Sequence, residues 1–427
     1  SAPPLVDADP PVAVTIPQPP VVDPAAEERP AEPPAENGAV TPQVQYVSAD
    51  GVLLRYDPQG QDWFVLPPRA LVQPGDTLAS PVPFDALLRA EDQDLDAELL
   101  GGTSARLLPA QGQTPFGVGL RRGRLVFRRT MDPPADGIVL ELPLSLGLRG
   151  ETCRLDLLTH DAVLAVEIVL NEPFQFEQPL GANLYEGGLY VAAGSARFTD
   201  SMGRSVTLSA GEDMSLSPAD RAAGQELVAA PIEPPEWINP ETRHTSAALR
   251  RYALVYENRF SSEAGMSLLV PAIVKDPNPQ YSEWATRCLA LLEDHANLVK
   301  VLAEVKHEEA VEAAIHGLRS WLPTAPDNGK LLKADLARFF PADYVDDLYR
   351  LLWGFDVTDG RNEFTSNELV DWLDHEHLAV RELAFEHVYR LAGQTYGYHP
   401  MLRSNQRRSA IERWKEHIEE NGGLVPQ

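Results

Sequence analysis

Three stretches of the chain hold residue types that could act together chemically. In FDVTDGRNEFTS, Asp356, Asp359, Asn362 and Glu363 crowd around Gly360 as oxygen ligands crowd a calcium loop. Such a loop puts its glycine sixth, oxygen ligands first and third, and a bidentate glutamate twelfth. Counting from Gly360, those places fall to Phe355, Val357 and Ser366, so the stretch reads as a polar turn between helices. In DHEH, Asp374 to His377, two imidazoles alternate with two carboxylates. Zinc on a helix wants histidines at i and i+4, on one face; His375 and His377 do not have that spacing, and a solvated helix start is expected. GVGLRRGR, Gly117 to Arg124, lacks the lysine and the GK[ST] ending of a phosphate loop. Hairpin glycines account for it. The chain has no GxSxG, and carboxylate pairs are too plentiful in so acidic a sequence to mark a glycosidase. No catalytic residue, cofactor or metal ligand is assigned, and the expectation is a protein that is not an enzyme.

A fourth stretch, LAGQTYGYHPMLRSNQRRSAIERWKEH (residues 391–417), offers binding rather than reaction. Tyr396, Tyr398 and His399 would form a small aromatic pocket, and Arg403, Arg407 and Arg408 would attract an acidic partner. These six are the candidate partner-binding residues. The competing reading is structural: the tyrosines lock the turn, and Ile411, Trp414 and Ile418, spaced i, i+3, i+7, dock a final helix. The apolar spacing around Trp414 favours it.

The elements that must position these residues divide the chain in three. Residues 1–43 hold 12 of the 38 prolines and no aromatic residue, the composition of an extended, solvated tether. Residues 44–235 run in short alternating stretches broken by Gly, Pro and Asp. VQYVSADGVLLRYD is expected to be a hairpin turning at Asp50-Gly51. RRGRLVFRR, CRLDLLTHDAVLAVEIVL and SVTLSAGEDMSLSP continue the pattern, which predicts an antiparallel β-sandwich or jelly-roll-like domain. Residues 236–427 change to a helical period, with Thr365 and Glu368 at capping-box spacing and Gly422-Gly423 as a stop. The fold class is therefore multidomain, all-β followed by all-α.

Two helical stretches superpose at an offset of 70. Ala310, Ala313, Ala314, Gly317, Leu318, Trp321 and Leu322 match Val380, Leu383, Ala384, His387, Val388, Leu391 and Ala392; His307 aligns with His377 and Glu312 with Glu382. Twice ~35 residues is the length of a stacked helix pair. On these residues HLAVRELAFEHVYRL resembles the second helix of a HEAT or armadillo-type repeat, with His387 standing at an apolar core position of that pattern. The GYHP and RRSAIERW segments are similar to the terminal segment after such helices in bacterial envelope-associated proteins. LVQPGDTLASP (Leu71 to Pro81) and EGGLYVAAGSARFTDSMGRSVTLSAGEDMSLSP (Glu186 to Pro218) resemble the FecR-like domain of bacterial periplasmic regulators. The resemblance implies a non-catalytic β-fold outside the cytoplasmic membrane, working through protein contacts.

Charge and composition narrow the partners. A formal charge of 36 − 63 = −27 opposes nucleic acid and anionic lipid, both of which need a basic face. Cys153 and Cys288 lie too far apart for a CxxC motif, and two separate buried thiols are expected. No run of ~18 apolar residues would span a membrane; the start at Ser1 suggests a processed upstream segment, so membrane contact would come only through a missing N-terminal anchor. The expected role is an extracytoplasmic protein-interaction or regulatory module of the cell envelope or periplasm, with a protein partner. The alternatives are a hydrolase acting on polysaccharide or peptide, and a structural scaffold or shell subunit.

Overall fold

The computed structural model describes residues 43–426 apart from 49, 91–93, 110–115, 130–136, 144–150, 179–184, 222–224, 242–246 and 261–263. The expected tether lies almost wholly outside the described residues. Strands occupy Val44 to Pro231 and helices Ala247 to Asn421, so the chain is an all-β part followed by an all-α part. Both belong to one compact unit, Thr41–Gln427.

Alternation builds the strands. Along β7 (Leu95–Leu99) the odd positions are buried and the even ones half-exposed, which is the period of a sheet with one face in a core. One sheet runs in the order β4 (Leu71–Val72), β1 (Val44–Tyr46), β6 (Ala86–Ala90), β7, β9 (Phe116–Arg129), β12 (Val163–Leu170), β13 (Tyr185–Ala193), β16 (Glu212–Ser215) and β17 (Ala230–Pro231). The other runs β3 (Asp62–Val65), β2 (Leu54–Asp57), β5 (Thr77–Ser80), β8 (Thr103–Leu108), β9, β10 (Ile138–Leu142), β11 (Glu151–Leu157), β14 (Ser195–Thr199) and β15 (Ser205–Ser209). Among the described pairings only β9 with β10 is parallel. The core holding Leu53, Phe116, Phe127 and Phe198 draws on strands of both sheets.

β9 belongs to both sheets. Its first half pairs with β8 and β10, its second with β7 and β12, and the register with β8 shifts at Ser104/Ala105. Gly123 marks the crossing with φ +99, where a Cβ would collide with Thr103 Cα. This is the last of the three glycines of GVGLRRGR, and the stretch is no hairpin: it lies within one continuous strand, with Gly123 beside the register shift. The Asp50-Gly51 hairpin does not form either: β1 and β2 lie in different sheets and do not pair with each other. Gly51 does take the positive φ of +106, but it serves a crossover between sheets.

The helices are α1 (Ala247–Glu257), α2 (Met266–Val274), α3 (Pro279–Leu291), α4 (His295–Glu304), α5 (Glu308–Trp321), α6 (Asn328–Phe339), α7 (Ala342–Trp353), α8 (Val357–Arg361), α9 (Glu363–Asp371), α10 (Leu378–Ala392) and α11 (Ser404–Asn421). Side-chain caps start several of them. Asn278 accepts from Gln280 N, Asp294 from Asn297 N, and Asn362 from Thr365 N. Thr365 is therefore inside α9 and Asn362 is its cap. Gly393 and Gly422 end α10 and α11 in the left-handed conformation, as C-terminal glycines do. Among the described residues no helix is long and apolar enough to cross a membrane. Cys153 and Cys288 are free and buried, and burial pushes both thiols up to about 12.

Among the described contacts between the β-part and the helices, two stand out as grips. Asp62 of β3 accepts from Ser267 N at 3.0 Å and Ser267 Oγ at 2.6 Å, capping α2 from another element, while Leu54, Ala79 and Phe84 join the core of Tyr256, Phe260 and Met266. The second grip follows β12, where Asn171 to Gln178 runs onto α5 and α7. Glu172 binds there to Arg319, and the Phe176 ring meets Tyr349 edge-on at 5.9 Å.

Candidate functional site

The 393–403 turn lies along one face of α10. Arg381 Nε donates to Pro400 O at 2.9 Å, and the Phe385 ring lies 5.0 Å from Tyr398 and 6.2 Å from Tyr389. The six residues singled out in the sequence separate here. Tyr398 is buried and donates to Leu373 O at 2.6 Å, and burial holds its hydroxyl well above the usual tyrosine range. Tyr396 stacks edge-on against Trp414 at 4.5 Å, with its hydroxyl 3.1 Å from His417 Nδ1. Arg407 turns inward to Asp374 at 2.8 Å and to Leu402 O at 2.7 Å. These three fasten α11 to the stack, and buried Ile411, Trp414 and Ile418 complete its seat. His399, Arg403 and Arg408 stay at the surface, His399 with Nε2 3.3 Å from Glu308 Oε1. Met401 and Tyr389, each 51% exposed, flank them along the turn and the helix.

The other weighed motifs are local structure. Asp356 caps α8 by accepting from Thr358 N and Asp359 N, and Asp359 reciprocates to Asp356 N. His377 N donates to His375 Nδ1 at 3.1 Å, and burial, helped by His377, lowers the His375 pKa below the ordinary histidine value. A recess of 720 Å³ opens beside β12 and β13, lined by Glu167, Glu172, Tyr185, Tyr190 and Asp220. Glu167 is held by Arg124 at 2.6 Å and Glu172 by Arg319 at 2.7 Å.

The polar seam between α5 and α10 was not visible as a site in the sequence. Both helices start immediately after a histidine, His307 and His377, so the residues aligned at an offset of 70 lie at equivalent helical positions. At one end of the seam charges are matched around Arg319, which is 2% exposed. Its Nε donates to Glu172 Oε2 at 2.7 Å, Nη2 to Pro173 O at 2.8 Å, and Nη1 to the Leu351 and Leu352 carbonyls at 3.3 Å; Glu386 stands 3.7 Å away. His316 Nδ1 adds a 2.7 Å bond to Glu172. Burial alone would raise the Glu172 pKa, but the bonds from His316 and the Arg319 charge more than offset it and hold it below the usual range. The Glu172 hydrogen bond raises His316 above its ordinary value. His387, fully buried, donates from Nε2 to Leu351 O at 2.7 Å; burial, then Arg319, keeps it neutral with a pKa well below the ordinary one. That bond explains a histidine in a core position.

At the other end the carboxylates outnumber the groups that could pair with them, His399 standing 3.3 Å from Glu308. Glu308 and Glu312 of α5 and Glu382 of α10 bring carboxylate oxygens within 4.8 Å of one another. Glu382 is 8% exposed, its Oε1 has no hydrogen-bond partner, and burial, then the neighbouring Glu308 and Glu312, push its pKa up to about 8. Arg381, the neighbour of Glu382 in sequence, donates from Nε and Nη1 to the carbonyls of Pro400, His375 and Glu376.

Compared with the models of known families and with curated proteins, the chain matches none.

Proposed function

We propose that this chain is a non-catalytic, extracytoplasmic protein-interaction module of the bacterial cell envelope, a FecR-like β-domain carrying a HEAT-like helical domain. The observation that carries the reading is the turn along α10. It presents Met401 and Arg403 at the surface, with exposed Arg408 following at the start of α11, and its Tyr398 begins a tyrosine and phenylalanine line that runs through Phe385 to exposed Tyr389. Arginine, tyrosine and methionine are the residue types enriched where proteins meet. The turn is also rigidly held, by Tyr396 on Trp414, Tyr398 on Leu373 O and Arg407 on Asp374, so binding there would cost little ordering entropy. The two grips between the parts support the same role, because they hold the β-part and the helices as one platform. In a strongly acidic chain, this arginine edge is where an acidic segment of a partner finds complementary charge.

The test compares wild type with the Arg403→Glu/Arg408→Glu double variant as baits on envelope fractions. Both side chains are exposed, so melting should be unchanged. The expected result is a protein retained by wild type and lost from the variant. Equal retention by both, or none by either, overturns the assignment of this edge.

A further inference from the structure

The α5–α10 seam carries an inference beyond protein contact. Its two ends are built from the same pair of helices and differ in their charge balance: the Arg319 end sets a buried guanidinium among its carboxylates, whereas the three carboxylates of the Glu308/Glu312/Glu382 end have, among the described residues, one ion-pair partner, the exposed His399 on Glu308. Exposed acids commonly stand together in water without consequence, and a cluster of them is no site by itself. Glu382 is the independent observation. It is buried to 8% exposure, its Oε1 has no hydrogen-bond partner, and its carboxylate lies in the cluster, with an oxygen within 4.8 Å of those of Glu308 and Glu312. A buried carboxylate oxygen left without a partner is costly, and with two further carboxylates beside it, a cation entering from the solvent side, where Glu312 is exposed, would satisfy all three together.

We propose that Glu308, Glu312 and Glu382 form a binding site for one divalent cation of the oxygen-preferring class. The ligand set is three hard carboxylate oxygens, which suits Ca²⁺, Mn²⁺ or Mg²⁺ over thiolate-seeking metals. The geometry is close to closed. Ligands about 2.2 Å from an ion stand roughly 3 to 4.4 Å from one another, so oxygens already within 4.8 Å need only side-chain rotation to converge. Glu308 and Glu312 are one helical turn apart on α5, the i, i+4 spacing that puts two ligands on one face. Glu382 comes from the facing helix, so the ion would staple α5 to α10. His399 stands at the rim, its Nε2 against Glu308 Oε1 at 3.3 Å, and so ties the 393–403 turn to the same site. Water completes the coordination on the open side. The ion would supply at this end of the seam what Arg319 supplies at the other.

Calorimetric titration of the full chain, separately with CaCl₂, MnCl₂ and MgCl₂, tests this against the weak binding that any acidic surface gives. The expected result with at least one of the three is a single saturable equivalent with a dissociation constant on the order of micromolar. Glu312→Gln should weaken it by about tenfold or more, and Glu382→Gln should abolish it. Glu419→Gln, an exposed acid on α11, should leave it unchanged. Thermal melting guards against a folding artefact. Wild type should melt higher with the ion than without. Glu382→Gln should melt no lower than ion-free wild type, since it puts a neutral amide where a buried carboxyl stands against two others, and should not respond to the ion. No saturable equivalent with any of the three ions, or equal binding by wild type and both Gln variants, overturns the proposal.

Discussion

Arg319→Met is the sharpest test of how the two parts are joined. Methionine keeps most of the aliphatic volume, so the change removes the guanidinium without opening a large cavity. What is lost can be worked out bond by bond. Breaking a buried ion pair by removing one partner costs about 3–5 kcal/mol. Glu172 is 26% exposed on its side chain and keeps its bond to His316, which places this loss near 3. Pro173 O and, more weakly at 3.3 Å, Leu352 O lose a donor, adding about 1 kcal/mol together, whereas Leu351 O keeps the one from His387. The sum is about 4 kcal/mol. At about 2.1 cal/mol/K per residue over Thr41–Gln427, the unfolding entropy is about 0.8 kcal/mol/K, and Tm should fall by about 5 °C. Arg121→Met serves as the reference, because Arg121 reaches Glu293 at 2.7 Å across the same joint but its side chain is 55% exposed. An exposed pair contributes less than about 1 kcal/mol, so that variant should shift Tm by about 1 °C or less. Scanning calorimetry on both proteins decides the matter, and hydrogen exchange should show faster opening of residues 171–178 in Arg319→Met alone. If Arg319→Met melts within about 1 °C of wild type, or no lower than Arg121→Met, the joint is not held by this guanidinium.

The partner His316 makes a pH prediction. Its folded pKa is raised by Glu172, so the stability it contributes is full below the unfolded value near 6.5 and is lost as pH rises through the folded value. Denaturant melts of wild type and His316→Gln should differ by about 0.5 kcal/mol at pH 6, a small figure because the side chain is 61% exposed, and should converge above neutrality; a difference that grows with pH would refute the sign. Gly123→Ala should lower stability by about 2–3 kcal/mol through its forced left-handed backbone and the collision with Thr103, read as a lower melting temperature, while the same change at the solvent-facing Gly203, which meets nothing, should cost only the φ penalty of about 1 kcal/mol.

The alternation of β11, within CRLDLLTHDAVLAVEIVL, and the apolar spacing of Ile411, Trp414 and Ile418 were legible because each reports a single element against its own core. The Gly422 stop was legible for the same reason. What escaped depends on pairs far apart in sequence. Asp50-Gly51 has hairpin chemistry, and Gly51 takes the expected positive φ, but a dipeptide cannot say whether the strands on either side pair with each other or enter different sheets. Asp62 and Ser267 are 205 positions apart, Glu172 and Arg319 147, so no local pattern announces either grip. Likewise, an arginine with no nearby acid gave no sign that it would be the most buried cation of the joint. The carboxylate cluster did leave a trace. Glu312 and Glu382 aligned at the offset of 70, and two equivalent helices lying side by side bring equivalent positions face to face. In the sequence that match reads as a repeat and not as a site.

The crossing of β9 from one sheet into the other bears on how the β-part comes apart. Four strands, β7, β8, β10 and β12, take their hydrogen bonds from this one segment, so neither sheet can fray along its whole length without releasing a strand of the other. Subglobal openings that cross Gly123 should therefore be rare. The amides of Leu120 and Leu125, on the two sides of the crossing, should exchange with a single shared free energy, that of global unfolding. A 14-residue strand thus makes two sheets into one cooperative unit.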